Sequence, residues 1–262
     1  MLKLWLVGGW RLAVVKQSAT GSGEPFYALK EAVEARRRHI QEGVLTWATN
    51  NLPRYPWRQS GKTPYEVLIG EAWLKQTSSG VAVRVYQRFL QQFLSIKALA
   101  EAEEGVVTDS CCSFGLERPA QYIKIMVKSL LKEGKGELPR NSDAFAKASG
   151  LENQHVKSIF CFGYGIPIAV VDVNVARMLS RLFRHVIPSP PAQGLLQAIG
   201  ENLLPFGNHQ SYNSGLLDLA ELICRDVAPL CHRCPVGEVC DYAEALPQRK
   251  NPYPALFEST SV

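Results

Sequence analysis

Residues 224–240 read Cys224-Arg225-Asp226-Val227-Ala228-Pro229-Leu230-Cys231-His232-Arg233-Cys234-Pro235-Val236-Gly237-Glu238-Val239-Cys240. Each loop between these cysteines is long enough to turn and too short to wander. The four thiolates can therefore close around one cubane cluster or around one zinc ion. Zinc modules usually carry two short Cys-x-x-Cys knuckles, whereas this segment has one, Cys231 to Cys234. The chain holds seven cysteines. An odd total with one dense cluster reads as a metal site in a reducing compartment, not as a secreted disulfide framework. Cys111, Cys112 and Cys161 match no ligand pattern and are expected to be buried, unreactive thiols.

Upstream of the cysteines, helical periodicity dominates. Leu29 to Asn51 sets Val33, Ile40, Val44 and Trp47 on one face, with Arg36, Arg37 and Arg38 across from it. Tyr65, Leu68, Ile69, Ala72 and Trp73 repeat at helical spacing, as do Ala82, Val85, Tyr86, Phe89 and Phe93. Pro119 suits the first turn of a helix running to about Lys132. Two further stripes are Val175, Met178, Leu179, Leu182, Phe183 and Tyr212, Leu216, Leu219, Ala220, Ile223. Alternating strand patterns are scarce beyond residue 16, so the chain reads as all-α. Its 262 residues, 46% of them hydrophobic, suffice for one large core or two modest ones.

Lys and Arg exceed Asp and Glu by 29 to 24. That balance permits a polyanionic partner without demanding one. Two basic rows, Lys124, Lys128, Lys132 and Arg177, Arg181, Arg184, read first as solvated helix faces. No apolar run is long enough to cross a membrane. Leu4 to Val15 is broken by Gly8, Gly9 and Arg11 and reads as a short hairpin or a loosely attached extension, not a signal peptide; Gln17 to Pro25 reads as a linker.

Two further segments carry a resemblance. One is Tyr55-Pro56-Trp57-Arg58 followed by Pro64-Tyr65-Glu66-Val67-Leu68-Ile69-Gly70-Glu71-Ala72-Trp73-Leu74-Lys75-Gln76-Thr77; the other is Val170-Val171-Asp172-Val173-Asn174-Val175-Ala176-Arg177. In order, and followed by the cysteine loop, they resemble the helix-hairpin-helix DNA glycosylases of the endonuclease III and MutY type, over about Tyr55 to Tyr242. The resemblance implies a [4Fe–4S] cluster on Cys224, Cys231, Cys234 and Cys240. It also implies two helical domains flanking a DNA cleft: a six-helix barrel with the hairpin over 64–165, and a cluster domain from 26–63 and 166–247. Residues 1–25 would be an extension and linker, and 248–262 a tail.

The same resemblance assigns the site. Breaking an N-glycosidic bond leaves positive charge on the deoxyribose and negative charge on the base. Asp172 would stabilise the cation. Glu71 would donate a proton or read the edge of the flipped base, its carboxyl raised by burial. Lys75, Gln76 and Thr77 would wedge into the duplex, with Gly150, Gln154 and Arg177 as further DNA contacts. On the residues alone, Asp172 or Asn174 equally suits a helix cap, and Glu71 with Lys75 a surface ion pair.

The chain departs from the family at the hairpin, normally Leu-Pro-Gly-Val-Gly and here Ala148-Ser149-Gly150-Leu151-Glu152. Glu152 puts a carboxylate at a phosphate-binding turn and is expected to strain it. Gln154 stands where bifunctional relatives carry a lysine, which implies base removal without strand cleavage. The loop Arg225 to Leu230 is less basic than its counterparts. The run Glu71-x-x-Leu74-x-x-Thr77-x-x-Gly80 resembles the mismatch-specific thymine/uracil glycosylases, so thymine or uracil opposite guanine is the expected target. MutY-type adenine excision is the alternative. Readings of another class are a non-catalytic damage binder and a zinc-stabilised interaction module. The expected partner is mismatched or damaged duplex DNA bound by a single copy, with no membrane, in the nucleoid or the nucleus.

Overall fold

A computed structural model describes residues 5–7, 10–12, 24–51 and 54–246. The strands β1 (Trp5–Val7) and β2 (Trp10–Leu12) pair antiparallel as a short ribbon. Among the described residues, everything else of regular structure is helical: α1 (Glu24–Asn50), α2 (Pro64–Gln76), α3 (Ser79–Gln92), α4 (Ile96–Glu101), α5 (Glu104–Asp109), α6 (Glu117–Glu133), α7 (Ser142–Ser149), α8 (Asn153–Ser158), α9 (Val173–Leu182), α10 (Gln193–Leu203), α11 (His209–Leu222) and α12 (Asp241–Glu244). Most of the linker and all of the C-terminal tail expected from the sequence lie outside the described residues; Glu24 and Pro25 already belong to α1.

α2 starts cleanly because Thr63 and Glu66 form a reciprocal capping box ahead of Pro64, satisfying amides that the first turn leaves open. Its buried residues are not one stripe: Val67 to Trp73 are buried without a break. α2 is thus a central helix, packed by α3 and by the π turn Ile159–Gly163 that extends α8. Gly163 permits that approach, since a Cβ there would lie 2.7 Å from the Pro64 Cα. α11 is buried in the same continuous way from Tyr212 to Ala220, against α1 and α9. A Cβ on Gly215 would lie 2.9 Å from both the Ala48 Cβ and the Val44 carbonyl, so α1 and α11 touch backbone to side chain there.

The basic rows are not simply solvated. Lys124 is buried, with its ammonium donating to the Ala102 carbonyl, which corrects the surface placement expected for it. Cys112 is exposed, also against expectation, while Cys111 and Cys161 are buried. Among the described residues no helix is long and apolar enough to cross a membrane.

Candidate functional site

One cleft, about 250 Å³ in volume, gathers residues from distant parts of the chain. Glu71 and Leu74 come from α2, and Gln154, His155 and Ser158 from α8. Asp172, Val173 and Asn174 come from the start of α9, Leu217 and Glu221 from α11, and Tyr55 and Arg58 from the turn before α2. Both carboxylates singled out in the sequence therefore line the same space.

Glu71 is almost fully buried. Its Oε1 accepts from Trp57 Nε1 at 3.0 Å and Ser158 Oγ at 2.6 Å; its Oε2 lies 2.8 Å from His155 Nδ1. The Arg58 guanidinium stands 3.7 Å away. Burial by itself would raise this carboxyl, but the His155 hydrogen bond, the Arg58 charge and the Ser158 hydroxyl outweigh it and hold it below its ordinary value. The expectation of a raised, protonated Glu71 is corrected: the side chain is an anion that accepts. The ion pair with Lys75 is also not formed; Lys75 Nζ donates to the Gly150 carbonyl at 2.8 Å. Gly70 makes the network sterically feasible, because a Cβ there would lie 2.1 Å from Trp57 Cδ2. Trp57 stacks on Tyr55 at 5.0 Å, and the Arg58 guanidinium lies over the Tyr55 ring at 4.4 Å. None of His155, Ser158 or Glu221 stood out in the sequence, since a lone histidine or serine on a helix carries no spacing signal.

Asp172 is built differently. It caps α9, its Oδ1 accepting from Val175 N–H at 2.8 Å, and it is only half-buried. Arg177, expected to touch DNA, turns inward: it donates to the Cys224 and Ala220 carbonyls at 3.0 and 2.8 Å and to Asn174 Oδ1 at 2.9 Å. The Ala220 carbonyl lies in the last turn of α11 and the Cys224 carbonyl just beyond it, so Arg177 acts as a staple between α9 and the end of α11.

Gly150 closes α7 in the left-handed conformation at φ 63°, and Glu152 precedes α8 at φ −67°. The strain expected at Glu152 is absent, because that backbone suits any residue. The adverse charge remains. Gln76 and Thr77 end α2 half-buried, with Lys75 just before them.

Cys224, Cys231, Cys234 and Cys240, all half-buried, line a second, apolar pocket with Met178, Leu182, Ile223 and Val236. Burial first, with the charges of Cys240, Cys224 and Cys231 adding to it, pushes Cys234 up to about 11, so the four sulfurs sense one another. Arg181 is held among the carbonyls of Cys224, Arg225 and Asp226 and reaches Cys224 Sγ at 3.4 Å. Asp241 locks the far side, pairing with Arg36 at 2.6 Å and accepting from the His185 amide at 2.9 Å. Four cysteines lining one apolar pocket beside a guanidinium are a donor set that fits an anionic thiolate-bound metal group.

Residues 69–193 match the HhH-GPD superfamily of base excision DNA repair proteins. The chain is similar to the thymine/uracil-DNA glycosylase of Methanothermobacter thermautotrophicus, 24% identical over 82% of this chain and 98% of that protein. It is also similar to the thymine-DNA glycosylase of Aeropyrum pernix, 27% identical over 81% and 96%. The solved structure of a thermostable thymine-DNA glycosylase shares the fold, with a TM-score of 0.72 at 24% identity, covering 82% of this chain and all of that one.

Proposed function

We propose that the chain is a monofunctional DNA glycosylase that hydrolyses the bond between deoxyribose and a thymine or uracil flipped out opposite guanine. The observation that carries this is one cleft lined by Asp172, Glu71 and Gln154. The relatives named for thymine and uracil supply the choice of base. Flipping is least costly at a mismatch, which lets a modest cleft select damaged sites.

Asp172 is the reacting carboxylate. Its Oδ1 is fixed by the α9 cap, so the other oxygen is presented to the sugar without further ordering cost, where it stabilises the oxocarbenium-like state. Gln154 has no amine, so no Schiff base forms and the strand stays intact. Lys75, Gln76 and Thr77 stand on the rim of α2, and Gly150 sits at the hairpin; these are the proposed DNA contacts, with Glu152 weakening the hairpin's grip. The DNA lies between a barrel of residues 64–165 and a second unit of 26–63 and 166–247. Cys224, Cys231, Cys234 and Cys240 would hold a [4Fe–4S] cluster. When bound it supplies a rigid staple for the C-terminal loop rather than acid–base chemistry. The enzyme works as a single copy in the compartment that holds the DNA.

The test is a panel of duplexes, each with one mismatch or lesion, scored for abasic sites with and without alkali. G·T and G·U duplexes should break only after alkali, and borohydride should trap no protein on DNA. Scission without alkali would overturn the monofunctional reading. No excision anywhere would favour a damage binder. Iron analysis of anaerobically purified protein should give four irons per chain; stoichiometric zinc would overturn the cluster.

A further inference from the structure

The cleft contains a titratable ring that the reaction above leaves unused. His155 is buried beside Glu71, with Nδ1 2.8 Å from Oε2, and it lines the same cleft as Asp172. We propose that His155 is the acid that protonates the departing base, with Glu71 as the positioning carboxylate behind its ring. The proposal rests on the glycosylase reading and names the leaving-group chemistry of that site.

The geometry carries it in three steps. Glu71 already accepts from Trp57, Ser158 and His155, and these donors with Arg58 keep it ionised, so it has no proton to give. An ionised carboxylate only accepts, which requires His155 Nδ1 to carry hydrogen. Nε2, on the far side of the ring, is then the atom left for the cleft. A carboxylate gripping one imidazole nitrogen and aiming the other at the reacting atoms is the arrangement that makes a histidine an efficient proton shuttle.

The step balances. The C1′–N bond breaks, its electron pair leaving with the base, and the imidazolium form of His155, with hydrogen on both ring nitrogens, passes its Nε2 proton to that base and is left as the neutral ring with hydrogen on Nδ1. Water adds its oxygen to C1′ and gives its proton to Asp172, from which it passes to solvent. Solvent reprotonates His155. Around the cleft, the charged and titratable groups are Glu71 on α2, Tyr55 and Arg58 in the turn before it, Asp172 ahead of α9 and Glu221 on α11. On the histidine's own helix they are Glu152, at its N-terminal cap, and Lys157.

His155→Asn separates the two jobs, since the asparagine amide can replace Nδ1–H toward Glu71 but offers nothing in place of Nε2. Single-turnover excision from G·T and G·5-fluorouracil duplexes, followed between about pH 5 and 8, reads the difference. Wild-type release of thymine should speed up as pH falls. His155→Asn should keep its melting temperature and duplex affinity, slow thymine release about 10²-fold, and lose that pH response. It should slow 5-fluorouracil far less, because fluorine stabilises the anion and less proton is needed. Equal slowing of both bases with the pH response intact, or a wild-type rate, would overturn the proposal. If His155→Asn does not fold, His155→Gln is measured in the same way, and the same results support or overturn the proposal. A wild type that releases neither base overturns the glycosylase reading itself, a distinct result.

Discussion

Glu71 and Asp172 face one cleft from different helices, yet the protein treats them in opposite ways. Glu71 is almost fully buried and gripped by Trp57, His155 and Ser158. Asp172 is half-buried and tied by a single cap bond to Val175. The first carboxylate spends its charge on the fold around it; the second keeps most of its charge for whatever enters. The same chemical group therefore serves as a positioning anchor at one wall and a reactive anion at the other, and the number of donors around it decides which.

The largest expected effect lies on the Asp172 side. Asp172→Asn should retain the α9 cap, since asparagine caps as well as aspartate, and keep its melting temperature. Excision should fall by about two to three decades, roughly 3–4 kcal/mol of transition-state stabilisation, while duplex binding survives. Wild-type turnover in this variant would reduce Asp172 to a cap and erase the contrast.

The Glu71 side should break through stability first. Gly70→Ala places a Cβ where Trp57 sits and should cost about 1–3 kcal/mol in denaturant unfolding, slowing excision as the network shifts. An unchanged midpoint would mean that Trp57 can move aside freely.

A smaller, pH-dependent signature comes from Glu71 itself. Its folded value lies below the ordinary 4.5, so its contribution is fully present above that value and is lost as pH falls through the folded one. Wild-type stability should thus decline on acidification below the ordinary carboxylate range, and Glu71→Gln should show a flatter decline. Parallel acid profiles would argue against an ionised Glu71. The smallest effect is expected at the rim. Lys75→Met removes one hydrogen bond to Gly150 and should cost about 0.5–1.5 kcal/mol, read by thermal unfolding.

The helices α1, α2, α3, α6, α9 and α11 were legible in the sequence, because apolar periodicity and Pro119 near a helix start are local signals written within a few residues. The cysteine spacing is equally local, and its four sulfurs do share a pocket. Periodicity underdescribed α2 and α11, where small and polar residues such as Gly70, Glu71, Gly215 and Asp218 are buried among the apolar ones. A stripe of hydrophobic residues marks a helix packed on one side; it cannot mark one that neighbours surround. The ionisation of Glu71 lay further out of reach. Two of its partners, His155 and Ser158, stand 84 and 87 positions away in the chain, and only packing of α8 against α2 brings them within hydrogen-bonding distance. Arg177 and Lys124 changed role for the same reason: each finds carbonyls on another segment, at Ala220 and Cys224 and at Ala102. Local composition sets which helices form, whereas the charge a side chain carries depends on the donors and solvent around it, and those are assembled only when distant helices meet.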